Sequence, residues 1–167
     1  RLERAARRRR VRLMAGSLVT AVRRAVTDGF GAHLAALPSF NTAEQEVLVE
    51  YAYTFGTQAA QRVYTGRAQA DTPPAAIRSG RNVRHEDGTF EVNVSVQLPG
   101  CTPEEADLRV DAIGTELEEW LADRKSDQLG IGLTSLYVES WIGDYFGIDG
   151  GAGAIRTYTV RWNARLT

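Results

Sequence analysis

The stretch "CTPEEADLRVDAIGTELEEWLADR", residues 101–124, carries the clearest fold signal in the chain. Thr102 is placed as an N-cap, Pro103 as the first helical residue, and Glu105 completes a capping box. Apolar residues recur at alternating spacings of four and three: Ala106, Val110, Ile113, Leu117 and Trp120. This pattern predicts an amphipathic helix that packs on a sheet, because the stripe is too short for a coiled coil.

The other face of this helix is acidic, with Asp107, Asp111, Glu116, Glu118 and Asp123. Such a run is typical of a solvated helix face, so we interpret it as surface rather than as a catalytic array. Cys101 precedes the cap and is the only cysteine, which excludes a disulfide within the chain. We expect its thiol to be inert.

Residues 89–98, just before the helix, alternate strictly between apolar and polar side chains. The apolar set is Phe90, Val92, Val94, Val96 and Leu98; the polar set is Glu91, Asn93, Ser95 and Gln97. This alternation predicts a strand with one buried face and one face toward solvent or a partner. The segment His85-Glu86-Asp87-Gly88 is predicted to be a hairpin-like turn into that strand.

Two further strands are predicted after the helix, at residues 134–142 and 154–166. In the second, one face holds Tyr158, Val160, Trp162, Ala164 and Leu166. Between them lies the glycine-rich stretch "GDYFGIDGGAGA", 143–154. A phosphate-binding loop needs a helix after its glycines, and here a strand follows, so nucleotide binding is rejected. The stretch is predicted to be the flexible tip of a long hairpin.

The first half of the chain predicts one helix and two strands. Residues 17–37 form an amphipathic helix with Ser17 as N-cap, and His33 is expected on its surface rather than as a metal ligand. Strands are predicted at 46–56 and 61–66, followed by a long irregular loop that contains Pro73-Pro74. The resulting fold class is α+β: a largely antiparallel sheet with two packed helices, a long loop between strands 2 and 3, and an extended C-terminal hairpin.

The charge is distributed unevenly, although the net charge of the 167 residues is −1. Residues 1–13 hold seven arginines and one glutamate, a charge of +6, and the other 13 basic and 20 acidic side chains give the rest −7. We interpret 1–13 as a basic arm or a helix extension, and 14–167 as a single domain. Translation from Met14 and a nucleic-acid-binding arm are alternatives, and the acidic body argues against the second.

Motifs for enzymatic chemistry are missing from the sequence. It contains no G-x-S-x-G, H-E-x-x-H or C-x-x-C, and one cysteine with two histidines does not predict a zinc site. No apolar run approaches the ~18 residues of a membrane span. We therefore predict no catalytic residues, no cofactor and no metal.

The sequence has more features of a protein interface than of a catalytic site. The candidate interface residues are Arg78, Arg81 and Arg84 before the alternating strand, and Asp144, Tyr145 and Asp149 in the glycine-rich stretch. Opposite charges on two sides of one subunit are what a head-to-tail ring would use.

Several weak features occur in the order of a known family. A "VYTG" strand end is followed by a small-residue loop, an arginine-rich lead into an alternating strand, a helix with Arg109 near its start, and the final "VRWNARL". Over about residues 15–167 the chain resembles the tail terminator (tail completion) proteins of long-tailed bacteriophages, of the type encoded by actinobacterial phages and prophages.

This resemblance implies an α+β virion protein, assembled in the host cytoplasm, that forms a hexameric ring in the tail or neck region. The ring would cap the head-proximal end of the tail tube, stop tube polymerisation and join head-closure or neck proteins. Genome DNA would pass through its lumen without sequence-specific binding. No catalysis, cofactor or membrane is implied.

Other interpretations stay open on the sequence alone. A head-closure or minor tail connector protein is the nearest one, and gene neighbourhood would separate it. A small-ligand-binding or enzymatic α+β domain is an alternative of a different class, and a deep pocket with perturbed titratable groups would favour it.

Overall fold

The computed structural model describes residues 17–56, 59–71, 84–124 and 128–166. Its elements are α1 (Val19–Ala36), β1 (Leu48–Glu50), β2 (Gln61–Asp71), β3 (Arg84–Pro99), α2 (Pro103–Arg124), β4 (Leu133–Ile148) and β5 (Gly151–Leu166). Short 3₁₀ turns occupy Pro38–Phe40 and Gln128–Gly130. The predicted α+β class, with two helices and a mostly antiparallel sheet, is confirmed.

The five strands form one sheet in the order β1-β2-β3-β5-β4. The β1–β2 pair is parallel, and β2–β3, β3–β5 and β5–β4 are antiparallel. The edges are therefore β1 and β4, while β3 and β5 lie inside. The β2–β3 and β4–β5 pairs contain register shifts, but between the shifts residues from four strands line up in rows across the sheet; Tyr64, Asn93, Thr157 and Ile142 form one such row.

Both helices pack on one face of this sheet, and the core lies between the two layers. The predicted stripe of α2 is buried in full, as are Val22, Val26, Phe30 and Leu34 of α1. From the sheet, Phe90, Val92, Val94 and Val96 of β3 and Tyr158, Val160, Trp162 and Ala164 of β5 face the helices. The two period-2 predictions are thus confirmed, apart from Leu98, which is half-buried, and Leu166, whose side chain is not described.

The two helix starts differ in how well they were predicted. In α2, the Thr102 N–H donates to Glu105 Oε2 at 2.7 Å and the Glu105 N–H donates to Thr102 Oγ1 at 3.2 Å, which confirms the capping box. In α1 the N-cap is Leu18, one residue later than the predicted Ser17, although the Val19 N–H donates to Ser17 Oγ at 3.2 Å. The buried Glu86 carboxylate also caps this end: its Oε1 accepts from the Leu18 N–H at 3.0 Å and from Ser17 Oγ at 2.5 Å.

The bounds of the first two strands differ from the predictions. The strand predicted at 46–56 is only Leu48–Glu50, because the chain then leaves the sheet and the Tyr51 carbonyl accepts a hydrogen bond from the Thr65 hydroxyl. Strand β2 continues to Asp71, so residues 67–71 are not loop. Residues 72–83, with Pro73-Pro74, lie outside the described residues.

Gly88 marks a further correction, since His85 to Gly88 are part of β3 and not a turn. Gly88 pairs with Ala70 on one side and Trp162 on the other, and the Trp162 indole occupies the space where a Cβ would be. Gly88 is needed because the Trp162 ring leaves no space for a side chain, and not because the chain turns here.

The glycine-rich stretch 143–154 also differs from its prediction. Strand β4 runs to Ile148 and β5 starts at Gly151, so the turn consists of Asp149 and Gly150, the latter at φ 72°. The remaining glycines lie in the ladder, and Gly153 leaves room for the Phe146 ring that covers it. The predicted long hairpin is confirmed, but its tip is a two-residue turn and the rest of the stretch is paired strand.

Candidate assembly surfaces

The β4–β5 hairpin extends as an exposed arm, defined here as residues 139–148 of β4 with their partners 151–159 of β5. Nearly all β4 residues of the arm are exposed, and β4 is the edge of the sheet. Among the described residues, the outer side of β4 therefore has no strand partner. An edge of this length presents a row of backbone donors and acceptors that another chain can pair with.

Three large apolar side chains on the arm form what we call the arm patch. Trp141 is 51% exposed, Ile142 74% and Tyr145 58%. Trp141 and Tyr145 pair with Tyr158 and Ala154 and so point to the helix side, whereas Ile142 pairs with Thr157 on the open side. The arm is thus apolar on both faces, which is unusual for a strand meant to face water.

Arg156 fixes the arm to α2. Its Nη2 donates to Asp107 Oδ1 at 3.1 Å, its Nη1 bonds Asp111, and its guanidinium lies 4.4 Å from the centre of the Trp141 ring. Burial alone would lower the pKa of Arg156, but hydrogen bonds with Asp111, Tyr158 and Asp107 raise the pKa above its usual value. The guanidinium therefore stays charged and ties the arm to the helix.

The acidic face of α2 is accordingly less solvated than predicted. Asp107 and Asp111 are engaged by Arg156, and Glu116 Oε2 lies 2.9 Å from His33 Nε2. His33 is half-buried and paired in this way, and Cys101 Sγ contacts the Leu98 carbonyl oxygen at 3.1 Å. Among the described residues no group of three or more His, Cys, Asp or Glu side chains could hold a metal ion.

A second apolar surface, the aromatic cluster, lies at the opposite edge of the sheet. It consists of Tyr51, Tyr53 and Phe55, which follow β1, and Phe55 is 89% exposed. The Tyr53 ring contacts those of Phe55 and Tyr64 edge-on, with centroids 5.1 and 5.2 Å apart. Two arginines pack on rings of the cluster: the Arg23 guanidinium lies 4.5 Å from the Tyr51 ring centre, and that of Arg62 lies 5.0 Å from the Tyr53 ring centre.

The predicted interface residues separate into two groups. Asp144, Tyr145 and Asp149 are exposed together on the arm and its turn. Arg78 and Arg81 lie outside the described residues. Arg84 begins β3 opposite Leu166, at the far end of the sheet from the Pro99–Gly151 pair beside the turn, and its side chain is not described. The described residues therefore do not bring Arg84 near the arm.

Most of both apolar surfaces was missed from the sequence. Trp141 and Ile142 fell within the strand predicted at 134–142, and Tyr51 and Tyr53 fell within the strand predicted at 46–56. A usable signal was present in "SWIGDYF", 140–146, because its apolar residues do not alternate. A strand without alternation is either buried or exposed on both faces, and polar neighbours favour the second.

The open face of the sheet is mainly polar and carries shallow grooves. One has a volume of about 430 Å³ and is lined by Arg67, Gln69, Glu91 and Thr159 among others. Neighbouring strands are linked by side chains on this face, where Thr157 Oγ1 donates to Asn93 Oδ1 at 2.7 Å.

Neither α1 nor α2, the two α-helices of the described residues, combines the length and the apolar composition of a membrane-spanning helix.

Comparison with models of known protein families and with curated proteins finds no match for this chain. Its function is therefore inferred from the surfaces above and from the sequence resemblance.

Proposed function

We propose that this chain is a structural virion subunit of the tail-terminator type. Copies of it form a ring at the head-proximal end of a phage tail tube, end tube polymerisation and provide the joining surface for head-closure or neck proteins. The observation that carries the proposal is the arm: an edge strand with an open ladder and three exposed apolar side chains. Such an edge favours a partner, since an unpartnered one promotes uncontrolled association.

A ring needs two different contact surfaces on each subunit, because only a head-to-tail contact repeats around an axis. The arm and the aromatic cluster provide two such surfaces at opposite edges of one sheet. The other parts of the proposal come from the sequence resemblance: the number of about six subunits, the contacts with the tail tube and the neck proteins, and the passage of DNA through the lumen. The role requires no catalysis and no cofactor, and an acidic body suits DNA that must slide past without being held.

A tube-termination assay tests this function. The tail tube protein of the same genome is polymerised with increasing amounts of the purified chain, and tube lengths are measured by negative-stain imaging. We expect shorter tubes that carry a disc at one end. Tubes of unchanged length that still bind the chain at an end would instead indicate a connector protein. Tubes that neither shorten nor bind the chain would contradict the proposal.

A further inference from the structure

We propose that the arm of one copy docks on the aromatic cluster of the next copy. This inference rests on the proposed self-assembly and specifies the two surfaces that meet. The occupant of the arm patch is then a second copy of this chain, and the contact joins the two opposite edges of neighbouring sheets.

The first reason is that the two surfaces lie at the same level of the sheet. Tyr64, whose ring contacts Tyr53, starts the row that ends at Ile142 on β4. Both of these side chains point to the open face, since their neighbours Val63 and Trp141 belong to the rows that face the helices. Two copies placed side by side, with their strands level, therefore bring Ile142 of one toward the cluster of the other.

The second reason is the chemistry of the two surfaces. The arm patch and the aromatic cluster each combine large apolar side chains, which are the residue types enriched in the centres of protein interfaces. Their charged surroundings have opposite signs. Asp144 and Asp149 are exposed on the arm and its turn, whereas the half-buried Arg23 lies against Tyr51 of the cluster. Arg62 is buried and lies 3.9 Å from Glu50, so Arg23 provides the positive charge on this side. Opposite charge would guide the two edges together in one register.

The third reason is that the alternative contact between two copies would cover only one of the two apolar surfaces and would bring like charges together. Two copies could pair β4 with β4 around a two-fold axis. That arrangement would bring the acidic arm of one copy, with Asp144, close to the same arm of the other, and it would leave Phe55 exposed. Pairing unlike edges avoids the charge repulsion and covers both apolar surfaces.

Site-specific cross-linking tests the contact directly. In a Cys101→Ala background, Ile142→Cys and Phe55→Cys are made as two separate single-cysteine chains. The two are mixed under the condition in which the unmodified chain assembles, alone or on tube ends, and treated with a short bis-maleimide. We expect a covalent dimer from the mixture and little dimer from either chain alone, because each alone lacks the second thiol of the contact.

Thr115→Cys, at an exposed position on α2, serves as the matched control when mixed with Ile142→Cys, and little dimer is expected. Efficient dimer from Ile142→Cys alone would show an arm-to-arm contact and overturn the inference. Assembly without the 142–55 product would also overturn it while leaving the proposed function intact. A chain that stays monomeric under every condition would overturn both.

Discussion

Arg156 is the residue on which the position of the arm most depends. Its side chain is only 11% exposed and joins Asp107, Asp111 and Trp141 in one cluster. Removing a largely buried guanidinium leaves two carboxylates without their partner and a ring without its support. We predict that Arg156→Met lowers the free energy of unfolding by about 1–2 kcal/mol.

Urea denaturation measures this change, and Arg165→Met is the control, an exposed arginine on the same strand. The control is expected to change the stability by less than about 0.5 kcal/mol. Equal effects of the two substitutions would show that the cluster contributes nothing specific.

Gly114 lies inside α2, where its low helix propensity is outweighed by its packing against Tyr158. Alanine is usually better than glycine inside a helix by about 1 kcal/mol. Here, however, an added Cβ would overlap the Tyr158 hydroxyl, which lies against α2. We predict that Gly114→Ala destabilises the protein, by about 1–3 kcal/mol, whereas Thr115→Ala at the exposed neighbouring position does not. A rise in the urea midpoint of Gly114→Ala would contradict the packing described here.

At the scale of elements, the predictions succeeded where the deciding information is local. The capping box of α2 lies within Thr102 to Glu105, and β3 alternates over consecutive residues, so short windows suffice. The start of α1 was predicted one residue early, and the part that Glu86 plays in its cap could not be predicted, because Glu86 lies 69 positions from Ser17. The extended C-terminal hairpin was predicted, but the exposure of Trp141 and Ile142 was not. Pairing from Ser140 to Ile148 is regular, and both side chains are exposed because this part of β4 is a sheet edge, which depends on the order of the strands and not on a short window of sequence.

The Glu86 cap leads to a prediction about α1. Glu86→Ala removes the two hydrogen bonds that Glu86 accepts at the helix start and is expected to cost about 1–2 kcal/mol of stability. Glu86→Gln keeps an acceptor oxygen and should cost less. Asp87→Ala, at the exposed next position, is the control. Urea denaturation followed by helical circular dichroism measures all three, and an Asp87→Ala effect as large as that of Glu86→Ala would refute the cap.

At the scale of the whole molecule, the head-to-tail contact predicts complementation between two disabled chains. Ile142→Asp spoils the arm but leaves the aromatic cluster, and Phe55→Asp does the reverse. Each alone is expected to stay monomeric, because every contact needs one surface of each kind. A mixture of the two should form dimers and nothing larger, since only one intact pair of surfaces remains. If the unmodified chain assembles without the tube, analytical ultracentrifugation of the two variants, alone and mixed, measures these states. A mixture that stays monomeric would contradict the contact.

The arginine cluster gives a further prediction, which concerns assembly rather than folding. Replacing Arg78, Arg81 and Arg84 together with glutamine is expected to weaken ring formation while circular dichroism stays unchanged. The expected cause is the loss of a basic surface toward a neighbouring subunit or the tube. Normal rings and infectious particles from this triple variant would show that these arginines are not interface residues.

Ring formation is the central claim, and the native mass of the unmodified chain tests it most directly. The mass is measured by light scattering with negative-stain images, for the chain alone and with its tail tube protein. We predict either a closed ring of about six 18.3 kDa subunits, or a monomer that forms rings only on tube ends. A chain that remains an 18.3 kDa monomer at every concentration and ignores tube ends would contradict the claim.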